Sequence, residues 1–584
     1  MGSNMGDAMS WQPIWATDNP PSEQWPLYTR GNVGEVFPEV VLPLSWDLVG
    51  RSAERGWRRA FERMGLLMPG DLDDASEFVI LSVFGGYCYL NASFIRVLGV
   101  RAPGGSVASI DEQFFGESDA PAYAPRPGDA NRRSSLRLGR TVLRLLRTKR
   151  LPALLEDQRE AAAYLAAYPG DDADDSALLS YMQSIEPLFE RLFFRHIDNT
   201  FSSALVVGAL VDLCTKAGRT DALVSLLGGI GDIDSAAPSA AMWRLARQAQ
   251  ADAAVASAFD AGVDGLLGRL AELPEATGWL EQYAAFNTRF GSRGPNEWDI
   301  GSDPWDFRPE LALAAIDRMR LADEHHDPSE QVRRLGAERA ATVIEVRSAL
   351  NRVDRFQFDK FLRATTVYSQ GRERSKTTVI LALHGARKAH RELARRIAVL
   401  GGPSERWHAC LYELDEFEQA LQDPTPLNGE VERRAALHAT LAALVPPFII
   451  EGTVPDVSTW EPRGGSAHGV TIGDTFQGIA GCPGVARGRA RVVLDAGEPG
   501  DLGPGDVLIA PITDPSWTPL FLAADAVVVD VGATMSHAVI VSRELGIPCV
   551  VSAVGATRRI PDGAIIDVDG STGLVTIVEL PATP

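Results

Sequence analysis

The sequence predicts a multi-domain chain, a large mainly α-helical domain followed by a small α/β domain. Three observations carry this expectation. The chain has 584 residues, 45% hydrophobic and 23% charged, enough for two to four globular domains. Helical periodicity dominates from about Leu136 to Leu444. Beyond it the texture changes to short apolar runs, "GRARVVLD", "DVLIA", "DAVVVD", "PCVVSA", "AIIDVDG" and "LVTIVEL", separated by turn residues.

Residues 1–10 are set aside as a tag or disordered extension. The stretch "PLYTRGNVGEVFPEVVLPLSWDLVG" is apolar but rich in Pro and Gly, and reads as an extended segment lying on other structure. Glu54–Gly65 and Glu77–Leu98 read as helices. A loop insertion is expected at about 101–135, where Pro, Gly and Ser break both periodicities. "SLRLGRTVLRLLRTKRLPALL" is a basic amphipathic stretch. "SKTTVILALHGARKAHRELARRIAVLG" ends on glycine, as a helix does. The mainly helical domain thus covers 11–454. "GTVPDVSTWEPRGGSAHG" has the composition of a hinge, placing a linker at 455–474 and the α/β domain at 475–584. No internal repeat occurs.

The net charge of −21 argues against nucleic-acid or anionic-membrane partners. The five cysteines include no C-x-x-C pair, which points to a reducing, cytoplasmic compartment and away from disulfides or zinc. No signal peptide or uninterrupted membrane-length apolar span is read.

"GATMSHAVIVSRELGIP" spans Gly532 to Pro548 and follows the strand pattern "DAVVVD". His537 falls in the first turn of the following helix. Unpaired N–H groups there welcome an anion, and the same field keeps an imidazole neutral. Ser536 and Thr534 supply hydroxyls for capping or for phosphate oxygens. A histidine that carries a phosphoryl group needs this combination.

Residues 476–580 closely resemble the phosphohistidine, or swivelling, domain of the phosphoenolpyruvate-utilising enzymes. "GIAGCPGVARGRARVV", "LGPGDVLIAPITDPSWTPLFLAADAVVVD", "GATMSHAVIVSRELGIPCVV" and "DGAIIDVDGSTGLV" carry the resemblance. It implies a covalent phosphohistidine at His537, with Gly532, Thr534 and Ser536 in the signature. The family usually has two glycines where this chain has Gly532 and Ala533. "TRGNVGEVFPEVVLPLSWDL", "GGYCYLNAS" and "FNTRFGSRGPNEWDI" resemble the helical acceptor-binding domain of rifampin phosphotransferases and the matching subunit of aryl phosphate synthases. Gly291-Ser292-Arg293 stands where Gly-His-Arg is common, so no acid–base histidine is carried over.

The resemblance implies an ATP-dependent dikinase-type phosphotransferase. A separate ATP-grasp subunit would load His537 from ATP with Mg²⁺, releasing AMP and phosphate. The swivelling domain would then deliver the phosphoryl group to a small hydroxylated acceptor, a phenol as first choice. A rifamycin-like antibiotic acceptor and a non-catalytic phospho-relay are the other classes.

Further residues are weighed individually. Arg293 could neutralise the phosphoryl group while Glu297 or Asp299 accepts a proton, or the three form a surface ion-pair network. Asn32, Glu35, Pro43 and Trp46 line the acceptor pocket or pack the N-terminal segment. Arg372, Glu373 and Lys376 read as a solvated helical cluster. Thr513, Asp514 and Trp517 flank the phosphate or form a turn. His325 and His326 read as a solvated loop rather than a metal site, and His384 and His390 as surface residues.

Overall fold

A computed structural model describes residues 11–581 except 73–76, 103–104, 116–119, 232–233, 235–236, 323–326, 464–469, 514–516 and 533–535. Residues 1–10, His325 and His326 therefore lie outside the described residues.

The N-terminal segment places strand β1 (Leu27–Thr29) and then α1 (Pro43–Met64). Pro43 opens α1, where a missing N–H costs nothing, and Gly65 closes it at φ 86°. The helix expected at Glu77–Leu98 is instead a hairpin, β2 (Leu81–Phe84) and β3 (Tyr87–Asn91), running into α2 (Ala92–Arg101). Gly85 and Gly86, at φ 55° and 81°, make its two-residue turn. Both strands are buried on both faces, so the alternation that marks a strand is missing. The expected loop at 101–135 contains helix α3 (Val107–Phe115), and α4 (Arg132–Arg147) begins inside it under the cap of Asn131.

Two long helices form the spine, α5 (Ile185–Lys216) and later α9 (Arg352–Val399). Between them lie α6 (Ala237–Ala251), α7 (Thr277–Phe290) and α8 (Pro309–Leu321). Asn351 starts α9 by accepting the N–H groups of Val353 and Asp354. The stretch Asp175–Lys216 is long and apolar enough by composition to cross a membrane, but much of it is buried in this fold, with α5 packed on α1 and α9. A strand β4 (Ile449–Glu451) completes a sheet of order β2-β3-β1-β4. The first part of the 455–474 stretch is packed rather than free. Trp460 is buried against Gly85 and Tyr87, and Arg463 pairs with Glu39 at 3.2 Å.

The C-terminal module contains β5 (Thr475–Gln477), β6 (Ile479–Cys482), β7 (Val485–Val492), β8 (Asp506–Ala510), β9 (Ala526–Val529), α10 (His537–Leu545), β10 (Cys549–Val551), β11 (Ile565–Asp569) and β12 (Leu574–Glu579). Its sheet order is β5-β12-β11-β7-β8-β9-β10-β6. Strands β7 to β10 are parallel and the flanking strands antiparallel. Strand β8, apolar after Asp506, and the all-apolar β9 are central and fully buried.

The module is docked on the helical body. One apolar core runs through Trp243, Tyr283 and Trp305 of the helical part and Leu508, Phe521, Val539 and Leu545 of the module. The region 237–322 therefore shares its core with the module, while α1, α5, α9 and the small sheet share another. That docking brings the start of α10 against the helical body.

Candidate active site

Chain direction sets His537. Strand β9 delivers the backbone to Ser536, whose Oγ caps α10 by accepting the Val539 N–H at 3.4 Å. His537 is the first residue of the helix, and only 7% exposed. Its ring nitrogens meet two threonines, Nδ1 with Thr513 Oγ1 at 3.3 Å and Nε2 with Thr518 Oγ1 at 3.2 Å. Its backbone N–H donates to Glu35 Oε2 at 3.2 Å. Burial, then Lys376, Arg293 and Arg372, hold its imidazolium far below the usual range, so the ring is neutral. Gly532 lies close under this turn, where an added Cβ would stand 2.9 Å from Val551 Cβ and 3.3 Å from Ser536 Oγ. Thr534 and Asp514 lie outside the described residues.

The helical body supplies the opposite wall. Glu35 sits on the short helix Val33–Val36, introduced by Asn32 at φ 70°. Burial raises its carboxyl to about 7, against the lowering effects of the His537 N–H, Arg372 and Lys376. From α9, Arg372, Glu373 and Lys376 share one face of a helix turn and line the same cavity as His537. They are not the solvated cluster the sequence suggests. Glu373 is 7% exposed, and Lys376 Nζ lies 3.5 Å from Glu297 Oε1.

Arg293 and Glu297 form a buried pair, Nε to Oε2 at 2.6 Å and Nη2 to Oε1 at 3.3 Å. Both are 1% exposed, so neither belongs to a surface network. Their pair holds Lys376 from behind. Asp299 departs from expectation. It accepts from Ser45 Oγ at 2.8 Å and the Gly301 N–H at 2.7 Å, and it does not line the cavity. Trp46 also departs. It packs between Phe37 and Phe78, with ring centroids 5.9 and 5.4 Å away, and is core. Asn32 lines the cavity beside Glu35. Trp517 lies in the apolar core shared with the helical body.

His196 is the residue the sequence hid. It stands inside the apolar run of α5, and its Nδ1 lies 3.2 Å from Ser375 Oγ. Burial, with Arg372 and Lys376 nearby, lowers its pKa to about 3. Its neighbours Phe193 and Trp298 wall the cavity with Trp57, Phe37 and Leu81. His384 and His390 are not surface residues but buried at 4% and 3%, against Asp306 and Cys410. The long helix α9 is covered on several sides, so its polar pattern misleads. The cavity is apolar on one side and charged on the side facing His537. Among the described residues no group of three or more His, Cys, Asp or Glu side chains is arranged to hold a metal.

The module is a parallel-centred α/β unit with a buried neutral histidine starting a helix and facing a cation-lined cavity, an arrangement suited to carrying an anionic group. A family model described as "PEP-utilising enzyme, mobile domain" matches residues 502–573, and one described as "Rifampicin phosphotransferase fourth domain" matches 195–373. The C-terminal module is similar to the mobile domain of phosphoenolpyruvate-utilising enzymes, and the chain resembles rifampicin phosphotransferase. A Streptomyces protein named rifampicin phosphotransferase is 27% identical over 82% of this chain and 52% of its own length. An uncharacterised protein of Mycobacterium tuberculosis is 28% identical over 96% of this chain and 63% of its own. The Bacillus subtilis uncharacterised phosphotransferase YvkC is 31% identical over 53% of this chain and 38% of its own. The chain thus spans about half the length of the curated relatives it matches.

Proposed function

We propose that this chain is the phosphohistidine-carrying, acceptor-binding part of an ATP-dependent phosphotransferase. The observation that carries the reading is His537 buried against a cavity that also contains Glu35, Arg372 and Lys376. An acceptor hydroxyl oxygen attacks the phosphorus of phospho-His537, and the P–N bond breaks. The hydroxyl proton passes to the Glu35 carboxylate, and the net proton reappears on the imidazole. Arg372 and Lys376 neutralise the transferring group, while Glu297 and Arg293 hold Lys376 in place. Thr513 and Thr518 orient the free ring, and the hydroxyl on the phosphorylated side gives way.

The acceptor we propose is a small aromatic alcohol, a phenol. The wall of Trp57, Phe193 and Trp298 supports this, because flat rings take a flat apolar acceptor. A rifamycin-like acceptor is the second reading, favoured by the likeness to proteins named rifampicin phosphotransferase. ATP and Mg²⁺ act at a nucleotide site that we assign to a separate ATP-grasp subunit, releasing AMP and phosphate.

The test combines this chain with an ATP-grasp partner and ATP labelled at the β-phosphate. Acid-labile label on the His537 peptide, chased onto a phenol, is the expected result. Turnover by this chain alone, at the roughly 1–100 s⁻¹ typical of kinases, would refute the split assignment. Chase onto a rifamycin but not a phenol would select the second reading.

A further inference from the structure

We propose a second, separate anion site in the helical body, a cavity between α9 and the loop Ile300–Phe307 that takes a phosphate-type oxyanion. The cavity shares no lining residue with the one at His537. Arg387 forms part of its wall and is itself 1% exposed. Its Nη2 donates to the carbonyls of Glu297 and Asp299, at 2.8 and 2.9 Å. Among the described residues its Nε and Nη1 have no hydrogen-bond partner. Burial lowers this guanidinium only to about 10, so it stays charged at neutral pH. Nε and Nη1 are themselves sealed, so Arg387 acts on an occupant through its charge.

Two further arginines stand at the mouth. Arg391 Nη1 and Arg406 Nη2 each hold one oxygen of Asp303, at 3.0 and 3.2 Å. The Asp303 carboxylate thus bridges two guanidinium groups as an oxyanion would. Phe307 lies 4.4 Å from the Arg391 guanidinium and fixes its plane. His390, on the same wall, is uncharged, its pKa lowered to about 3 by burial and by Arg387 and Arg406. Three arginines against Asp303 and Glu405 leave this lining cationic in a chain of net charge −21. Guanidinium groups converging from different elements suit a tetrahedral, multiply charged oxyanion better than a flat carboxylate. Arg387 also links this cavity to the delivery site, because it holds the backbone of Glu297, which pairs with Arg293 and Lys376.

Calorimetric titration of the full chain with inorganic phosphate at low ionic strength tests this. Two double variants separate the cavities, R391A/R406A for this one and R372A/K376A for the His537 cavity. Arg391 and Arg406 are over a third exposed, so their removal should leave the fold intact, and thermal melts verify it. Saturable binding, weakened about tenfold or more in R391A/R406A, but within about threefold of the parent in R372A/K376A, is expected. No saturable binding, or binding lost only in R372A/K376A, would overturn the proposal. Displacement by phenyl phosphate would identify an organophosphate site, and its absence a site for free phosphate.

Discussion

The two faces that meet at His537 are built in opposite ways. On the module side, Ser536 and His537 are consecutive residues, and Thr513 and Thr518 come from the preceding strand–helix connection. On the helical side, Glu35 comes from the N-terminal segment, Trp57 from α1, His196 from α5, Trp298 from a loop, and Arg372 and Lys376 from α9. A histidine at a helix start needs one local geometry. A cavity needs enclosure, which no single element provides.

The largest expected effect lies on the local side. His537→Ala should abolish acid-labile phosphoryl incorporation while the melting profile stays cooperative. Incorporation that persisted in this variant would move the nucleophile elsewhere and dissolve the comparison. Next comes the assembled side. Arg372→Ala or Lys376→Ala should slow transfer from preloaded phosphoprotein by about 10²–10³-fold, with loading changed by less than about threefold. Single-turnover quench experiments read the two half-reactions separately. Arg293→Ala should behave differently, because it leaves the buried Glu297 with one cation fewer. A stability loss of about 3 kcal/mol in urea unfolding is expected there.

Glu35 sharpens the comparison through pH. Its carboxyl is raised from 4.5 to about 7 by burial, so it becomes a base only as the pH passes 7. Transfer should rise through that range and become flat in Glu35→Gln. The stability term has the opposite sign. A raised folded pKa means the folded state binds more protons between 4.5 and 7, so the Glu35 contribution is fully present below 4.5 and lost as the pH rises through about 7. Glu35→Gln should therefore be slower but, above pH 7, more stable by on the order of 2 kcal/mol. The smallest effect is at the apolar wall. Trp298→Ala should raise KM for a phenol about tenfold, the scale of one lost aromatic contact, without altering loading. An unchanged KM would leave that wall without a role in acceptor binding.

What could be read along the chain follows from range. His537, its Ser536 cap, the β9 strand before it and the Gly546 stop lie within a short run, so local rules suffice. The change from helical to β texture was legible for the same reason. The β2–β3 hairpin was hidden although Gly85-Gly86 marked its turn, because strands buried on both faces carry no alternation. Arg372 and Lys376 looked like solvent-facing charges because α9 displays them as any surface helix would.

The sequence alone therefore determined the α/β module, the helix start at His537 and the helical character of the rest, all consequences of short-range patterning. Only the tertiary structure decided that Glu35 and His537 share a hydrogen bond across 502 positions, that His196 belongs to the cavity, and that Trp46 and Asp299 belong to the packing. The reason is physical. Burial and neighbouring charge set what a carboxylate or a lysine can do, and both are properties of elements brought together from distant parts of the chain.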